Sequence, residues 1–173
     1  MARDILKTLK TEHEALHSLF EEMKSTTDRA KKSRAELLEK IEASLMPHAK
    51  WEEQVFYPEF KKRADRDGLQ THAEAVEEHR AVEQTVMPDV HAADMDSPEF
   101  AGRVKVFAEM IDHHAKEEEK TMFKMARELF TAEERASLDE DYEAWKQSED
   151  GANLVAAAKA KTGIKGAARS LTH

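Results

Sequence analysis

Apolar residues recur along this chain at steps of three and four, and strand-like alternation is absent, so the pattern predicts helices throughout. Ile5, Leu9, Leu16, Phe20 and Met23 predict a first helix over 3–28. Ser33 with Glu36 reads as a capping box opening a second helix to Phe60, with Leu37, Ile41, Ser44, Leu45, Val55 and Phe56 facing inward. Pro47 lies inside it and predicts a kink, because proline frees the carbonyl four residues earlier. The stretch 65–69, containing Gly68, predicts a break before a third helix over 70–91 with Pro88 near its end. Ser97-Pro98 reads as an N-cap and first-turn proline for a fourth helix to Phe130. Thr131 with Glu134 predicts a short fifth helix to Gln147, packed through Leu138, Tyr142 and Trp145. From Gly151 the chain is rich in Ala, Lys and Gly with no acidic residue, which predicts a flexible or loosely docked basic tail. The expected organisation is a helical bundle over 1–148 followed by a tail over 149–173.

The exceptions on the apolar faces form an internal repeat. Glu12-His13 recurs as Glu78-His79, and the run from His48 to Glu53 recurs from His114 to Glu119, each at an offset of 66 residues. Matching helix pairs in one register predict an antiparallel up-down four-helix bundle with a pseudo-twofold axis, the repeated residues facing each other across its interior. His13 shares a stripe with Leu9, Leu16 and Phe20; His48 and Glu52 fall in the arc of Ile41 and Val55; His114 and Glu118 fall in that of Phe107 and Met110. A His and a Glu at i, i+4 project from one side of a helix, within reach of one metal or of adjacent metals.

Composition narrows the chemistry. The 173 residues suffice for one domain with a genuine core. The formal net charge of −9 opposes nucleic acid and anionic membranes as partners of the main domain. With neither a long apolar run nor a basic, apolar N-terminus, the expectation is a cytoplasmic protein. The absence of cysteine excludes disulfides, thiol catalysis and iron–sulfur clusters, leaving His and carboxylate as the good metal ligands. Those donors suit iron, manganese or zinc.

One His-x-x-x-Glu pair would be weak evidence, since 36 acidic residues among 173 give nine histidines about two such pairs by chance. Two pairs at matched positions of a repeat, both inward and each joined by a facing histidine, are a different matter. Burying six such groups without cations is costly, whereas a pair of metal ions removes the cost. His13, His48, Glu52, His79, His114 and Glu118 are therefore the candidate metal ligands. His17 and Glu83, one turn beyond His13 and His79, are further candidates to complete or orient the coordination sphere. His72 is expected in the core or a pocket, His113 at the surface or between helices, and His91 and His173 in solvent. Tyr57 falls near the outer edge of its arc, where its phenol oxygen could gate the site or approach a metal, with packing as the favoured expectation. The methionines at helical spacing are expected to fill the core, and the Glu-rich segments around the inward ligands to be mostly solvated.

The string of His, His-x-x-x-Glu, Glu-His and His-x-x-x-Glu-Glu over four helices resembles the hemerythrin-like HHE cation-binding family, over about residues 3–130. The resemblance implies that the same six residues bind two iron ions, with Glu52 and Glu118 bridging them beside an oxo or hydroxo group. Oxygen-carrying hemerythrins have a second third-helix histidine where this chain has Glu83, and an Asp five residues after the fourth-helix histidine where this chain has Glu118 at four. More anionic oxygen donors favour the ferric state and so disfavour reversible oxygen carriage. The expectations are dioxygen, peroxide or nitric oxide as the small ligand, in sensing, scavenging or detoxification, with catalase-like peroxide turnover or an iron-storage module as alternatives.

Overall fold

The computed structural model describes residues 3–169, with side chains described to residue 160. Among these residues the chain is all-helical, as expected, and its helices pack as a bundle. Helix α1 (Ile5–Lys24) is capped by Asp4, whose carboxylate accepts from the Leu6 N–H at 3.0 Å. Helix α2 (Lys31–Trp51) starts two residues before Ser33, with no side-chain cap at Ala30. Its start is fixed instead by buried Arg34, which donates to Thr26 Oγ1 at 2.9 Å, to Asp28 Oδ1 at 3.0 Å and to the Met95 carbonyl, tying two loops together. The Ser33–Glu36 box is thereby displaced: Ser33 lies inside the helix.

Each of the next three long helices contains one π turn, which the apolar periodicity did not predict. The turns are Glu52–Phe56, leading to α3 (Tyr57–Arg63); Val82–Val86, between α4 (Arg66–Ala81) and α5 (Met87–Ala92); and Glu118–Met122, between α6 (Pro98–Glu117) and α7 (Phe123–Leu129). In each, a backbone N–H bonds five residues back, from Tyr57 to Glu52, Met87 to Val82 and Phe123 to Glu118. Pro58 and Pro88 follow two of them, where a missing N–H makes the strict α register harder to keep. Helix α2 runs on through Pro47, and the change of register falls at Glu52. Asp65 caps α4, accepting from the Gly68 N–H at 3.0 Å, so the third helix begins at Arg66 instead of Gln70. Ser97 caps α6 through the Phe100 N–H, and both halves of the Thr131–Glu134 box open α8 (Ala132–Lys146), as predicted.

The tail departs from expectation. Residues Glu149–Arg169 form a helix, α9, that packs along α2 and buries Ala158. Small residues permit that close approach, and Ala-rich sequence favours helix once a surface is available. Lys161, Lys165, Arg169 and His173 lie outside the described side chains. No helix among the described residues is long and apolar enough to cross a membrane.

Two apolar clusters make the core. One contains Leu16, Phe20, Leu38, Ile41, Leu45, Met87, Val90 and Phe107, and is mostly aliphatic. The other contains Trp51, Phe56, Tyr57, Phe60, Phe123, Phe130 and Tyr142, and is mostly aromatic. On α1 the change from one to the other falls at His13, on the α2–α3 helix at His48, on α4–α5 at His79, and on α6–α7 at His114 and Glu118. Four elements thus deliver their polar residues to one layer.

Candidate metal centre

The six repeated residues meet in that layer, all buried. In the first half-site His13 Nε2 lies 3.2 Å from His48 Nε2 and 3.4 Å from Glu118 Oε2, and His48 Nε2 lies 3.1 Å from Glu52 Oε1. In the second, His79 Nε2 lies 3.0 Å from His114 Nε2 and 3.6 Å from Glu52 Oε2. Each Glu52 oxygen therefore serves a different half-site. Glu118 spans them too, its other oxygen accepting at 3.0 Å from the hydroxyl of Tyr57, which lies 3.3 Å from His79 Nε2 and 3.4 Å from His114 Nε2.

Every one of these imidazoles is oriented from behind by a carboxylate on another helix. His13 Nδ1 donates to Glu119 at 3.1 Å, His48 Nδ1 to Glu12 at 2.8 Å, His79 Nδ1 to Glu53 at 3.1 Å and His114 Nδ1 to Glu78 at 2.7 Å. A carboxylate at Nδ1 fixes the proton there, so a neutral ring turns its Nε2 lone pair to the centre. Paired lone pairs about 3 Å apart repel unless a proton or cation stands between them. Both oxygens of Glu52 and one of Glu118 are buried without a hydrogen-bond partner. Orphaned carboxylate oxygens facing converged imidazole nitrogens form a donor set that fits two cations: His13, His48, Glu52 and Glu118 around one, and His79, His114 and Glu52 around the other.

In metal-free protein, protons would take that role. Burial opposes the charged form of His48, but Glu52 and Glu12 outweigh it and raise its pKa to about 10. Burial likewise opposes charge on Glu12, where His48, Tyr142 and Lys146 prevail and hold the carboxyl at about 2. Glu118 is held at about 2 against burial by His13, His114 and His48. Burial, with Glu118 and Glu52 nearby, pushes the Tyr57 phenol well above its usual range.

The backing carboxylates escape the sequence reading, and Tyr57, for which the sequence favours packing over a place at the site, belongs to the centre. Glu12 and Glu78, and Glu53 and Glu119, obey the same 66-residue offset as the ligands they neighbour, and that was the available signal. Far from being solvated, they are tied down: Glu12 by Tyr142 at 2.6 Å and Lys146 at 2.9 Å, Glu53 by Lys50 at 2.9 Å, Glu119 by Lys10 at 2.7 Å. Tyr57 was expected at the edge of its arc because α periodicity was carried past Glu52. The five-residue turn puts Tyr57 over Glu52 and into the centre.

The other histidines sort as follows. His17 stands at the surface, 51% exposed, with Nδ1 2.8 Å from Asp112. It does not join the cluster, because it lies beyond the buried face that carries His13. Glu83 is also outside, paired with Lys50 at 2.6 Å. His72 is half-buried, edge-on to Tyr57, and His113 is exposed with Nε2 3.5 Å from Glu78. His91, expected in solvent, instead bonds buried Glu42 across to α2.

Beside the imidazoles lies a narrow cleft of about 30 Å³, lined by Leu16, Leu45, Val82, Met87, Ile111 and Ala115 among others. It reaches all four histidines. Such a lining suits a small, weakly polar ligand.

Comparison with known proteins agrees with the geometry. A DNA nickase from Nostoc sp. is 27% identical over 144 residues, covering 83% of this chain but 39% of the nickase, so the chain spans about two fifths of that relative's length. No solved structure matches significantly. Residues 4–126 match the family described as hemerythrin HHE cation binding domain, and the chain belongs to that family.

Proposed function

We propose that this chain is a non-haem di-iron protein that binds dioxygen or a related small oxidant in sensing, scavenging or detoxification. The observation that carries the reading is the convergence of four imidazole Nε2 atoms on two carboxylates, each shared between half-sites, beside an apolar cleft. His13, His48, Glu52, His79, His114 and Glu118 would hold the ions, which when bound supply redox and Lewis-acid chemistry toward the small ligand. The backing carboxylates keep each imidazole in one tautomer and raise its basicity. The aliphatic wall of the cleft limits water at the centre, and the Tyr57 hydroxyl offers a proton donor on the second half-site. An up-and-down antiparallel course of the four long helices is part of the proposal. It is supported by the alternating order in which successive helices pass from the aromatic to the aliphatic cluster and back.

Oxygen-rich coordination favours the ferric state, so oxidant chemistry ranks above reversible oxygen carriage. The likeness to a nickase covers the helical domain, and a net charge of −9 argues against DNA as a partner here. The decisive experiment is metal analysis of protein purified without added metal, followed by anaerobic reduction and air exposure under visible spectroscopy. Iron near two per chain with oxidant-dependent charge-transfer bands is the expected result. A colourless protein without iron overturns the reading. Oxygen evolution from peroxide, abolished in His114→Ala, would select catalytic turnover over binding.

A further inference from the structure

The 66-residue repeat makes the two half-sites comparable atom by atom, and they differ in two respects. One aromatic position after the π turns is Tyr57 in the first repeat and Phe123 in the second. The Tyr57 hydroxyl enters the second half-site and takes the Glu118 oxygen on that side. The Phe123 ring stacks on His13 in the first half-site, 6.0 Å between centroids and 10° from parallel, and supplies no polar atom. The second difference lies behind the imidazoles. Glu12, which orients His48, is anchored by Tyr142 and Lys146 from α8, while among the described residues its repeat partner Glu78, which orients His114, meets beyond that imidazole the exposed His113 at 3.5 Å. Tyr142 is buried against Trp51, 4.7 Å between ring centroids, so the anchor is rigid.

We propose that the half-sites are unequal and fill in order, the His13–His48 half first and tightly, the His79–His114 half second, leaving the exchangeable metal position beside Tyr57. The first half already gathers four donor atoms, two imidazole and two carboxylate, within mutual reach; the second gathers three, the Glu118 oxygen on that side being engaged by the Tyr57 hydroxyl. Preorganised donors lose less freedom on binding and hold the ion longer. Tyr142 and Lys146 act as positioning residues through Glu12.

This inference rests on the di-metal reading, and one titration separates the two. The metal-depleted full chain is titrated anaerobically with Mn(II) and followed by electron paramagnetic resonance. Ordered filling gives the hyperfine-split signal of isolated Mn(II) during the first equivalent, converted to a spin-coupled signal by the second. A coupled signal from the first additions, or two equal affinities, overturns the order while leaving the di-metal reading intact; no binding at all sinks both. Placement is read from variants. His114→Ala should keep the first-equivalent affinity and His48→Ala should lose it, and the reverse result overturns the assignment. Tyr142→Phe should weaken the first equivalent about tenfold and leave the second unchanged. If both equivalents weaken together, Tyr142 has only a structural role and the anchoring argument is overturned.

Discussion

The two apolar clusters on either side of the buried His and Glu layer are built from different side chains. The aromatic side, with Trp51, Phe56, Tyr57, Phe60, Phe123, Phe130 and Tyr142, is dense in rings at stacked, edge and tilted contacts of 4.7–6.5 Å. It also sends two hydroxyls, Tyr57 and Tyr142, toward the centre. The aliphatic side, with Leu16, Leu45, Val82, Met87 and Ile111, lines the cleft and offers the imidazoles no hydrogen bond. Rigid rings with polar tips suit the task of holding ligands in place. An apolar wall that includes the flexible thioether chain of Met87 suits the passage of a small, weakly polar molecule. Under the proposed function, one side would grip and the other admit.

The harshest way to break that contrast is to remove what both sides frame. Glu52→Ala, deleting the carboxylate whose oxygens face both half-sites, is expected to abolish metal loading altogether, measured as bound metal per chain. Next comes packing. Phe56→Ala, at a fully buried position on the gripping side, should cost about 3–5 kcal/mol in denaturant unfolding. Leu45→Ala, beside the existing cleft, should cost nearer 2 kcal/mol and speed small-ligand exchange in stopped-flow measurements. Equal costs would erase the distinction.

A smaller effect follows from protonation in the metal-free protein. His48 is raised to about 10, so its contribution is complete below about pH 6.5 and is lost as pH climbs through 10. Glu12 and Glu118 are lowered to about 2, so theirs is present above about 4.5 and lost as pH falls through 2. For these groups, thermal melts should show greatest stability between about pH 4.5 and 6.5. Metal displaces the His48 proton, so the gap between loaded and metal-free protein should widen as pH rises. A gap independent of pH would mean that no proton is exchanged for metal. The smallest effect is local: Thr131→Ala removes the Oγ1 that accepts from the Glu134 N–H, one of the two bonds of the box that opens α8, and should cost about 1 kcal/mol. By loosening the helix that carries Tyr142, it should also weaken the gripping side before the admitting side, as hydrogen exchange would read.

Much of the fold was legible because local chemistry and global pattern agreed. Ser97-Pro98 and Thr131–Glu134 mark their helix starts by backbone hydrogen bonding that needs no distant partner. The six candidate ligands could be read because a repeat duplicated them on apolar faces. His17 misled because helical spacing places a residue on an edge without saying whether that edge is covered, and here Asp112 meets it at the surface. His91 misled in the opposite sense, since its partner Glu42 lies 49 residues away in sequence.

By itself the sequence determined helicity, the repeat and the identity of the residues that converge, all consequences of periodicity and offset. The tertiary structure alone decided which carboxylate backs which imidazole, that α9 lies along α2, and that Tyr57 points inward. The reason is physical. A π turn changes register by one residue, a small difference in local energy set by packing on both sides of the helix, and pairings between helices depend on distances that no single helix encodes.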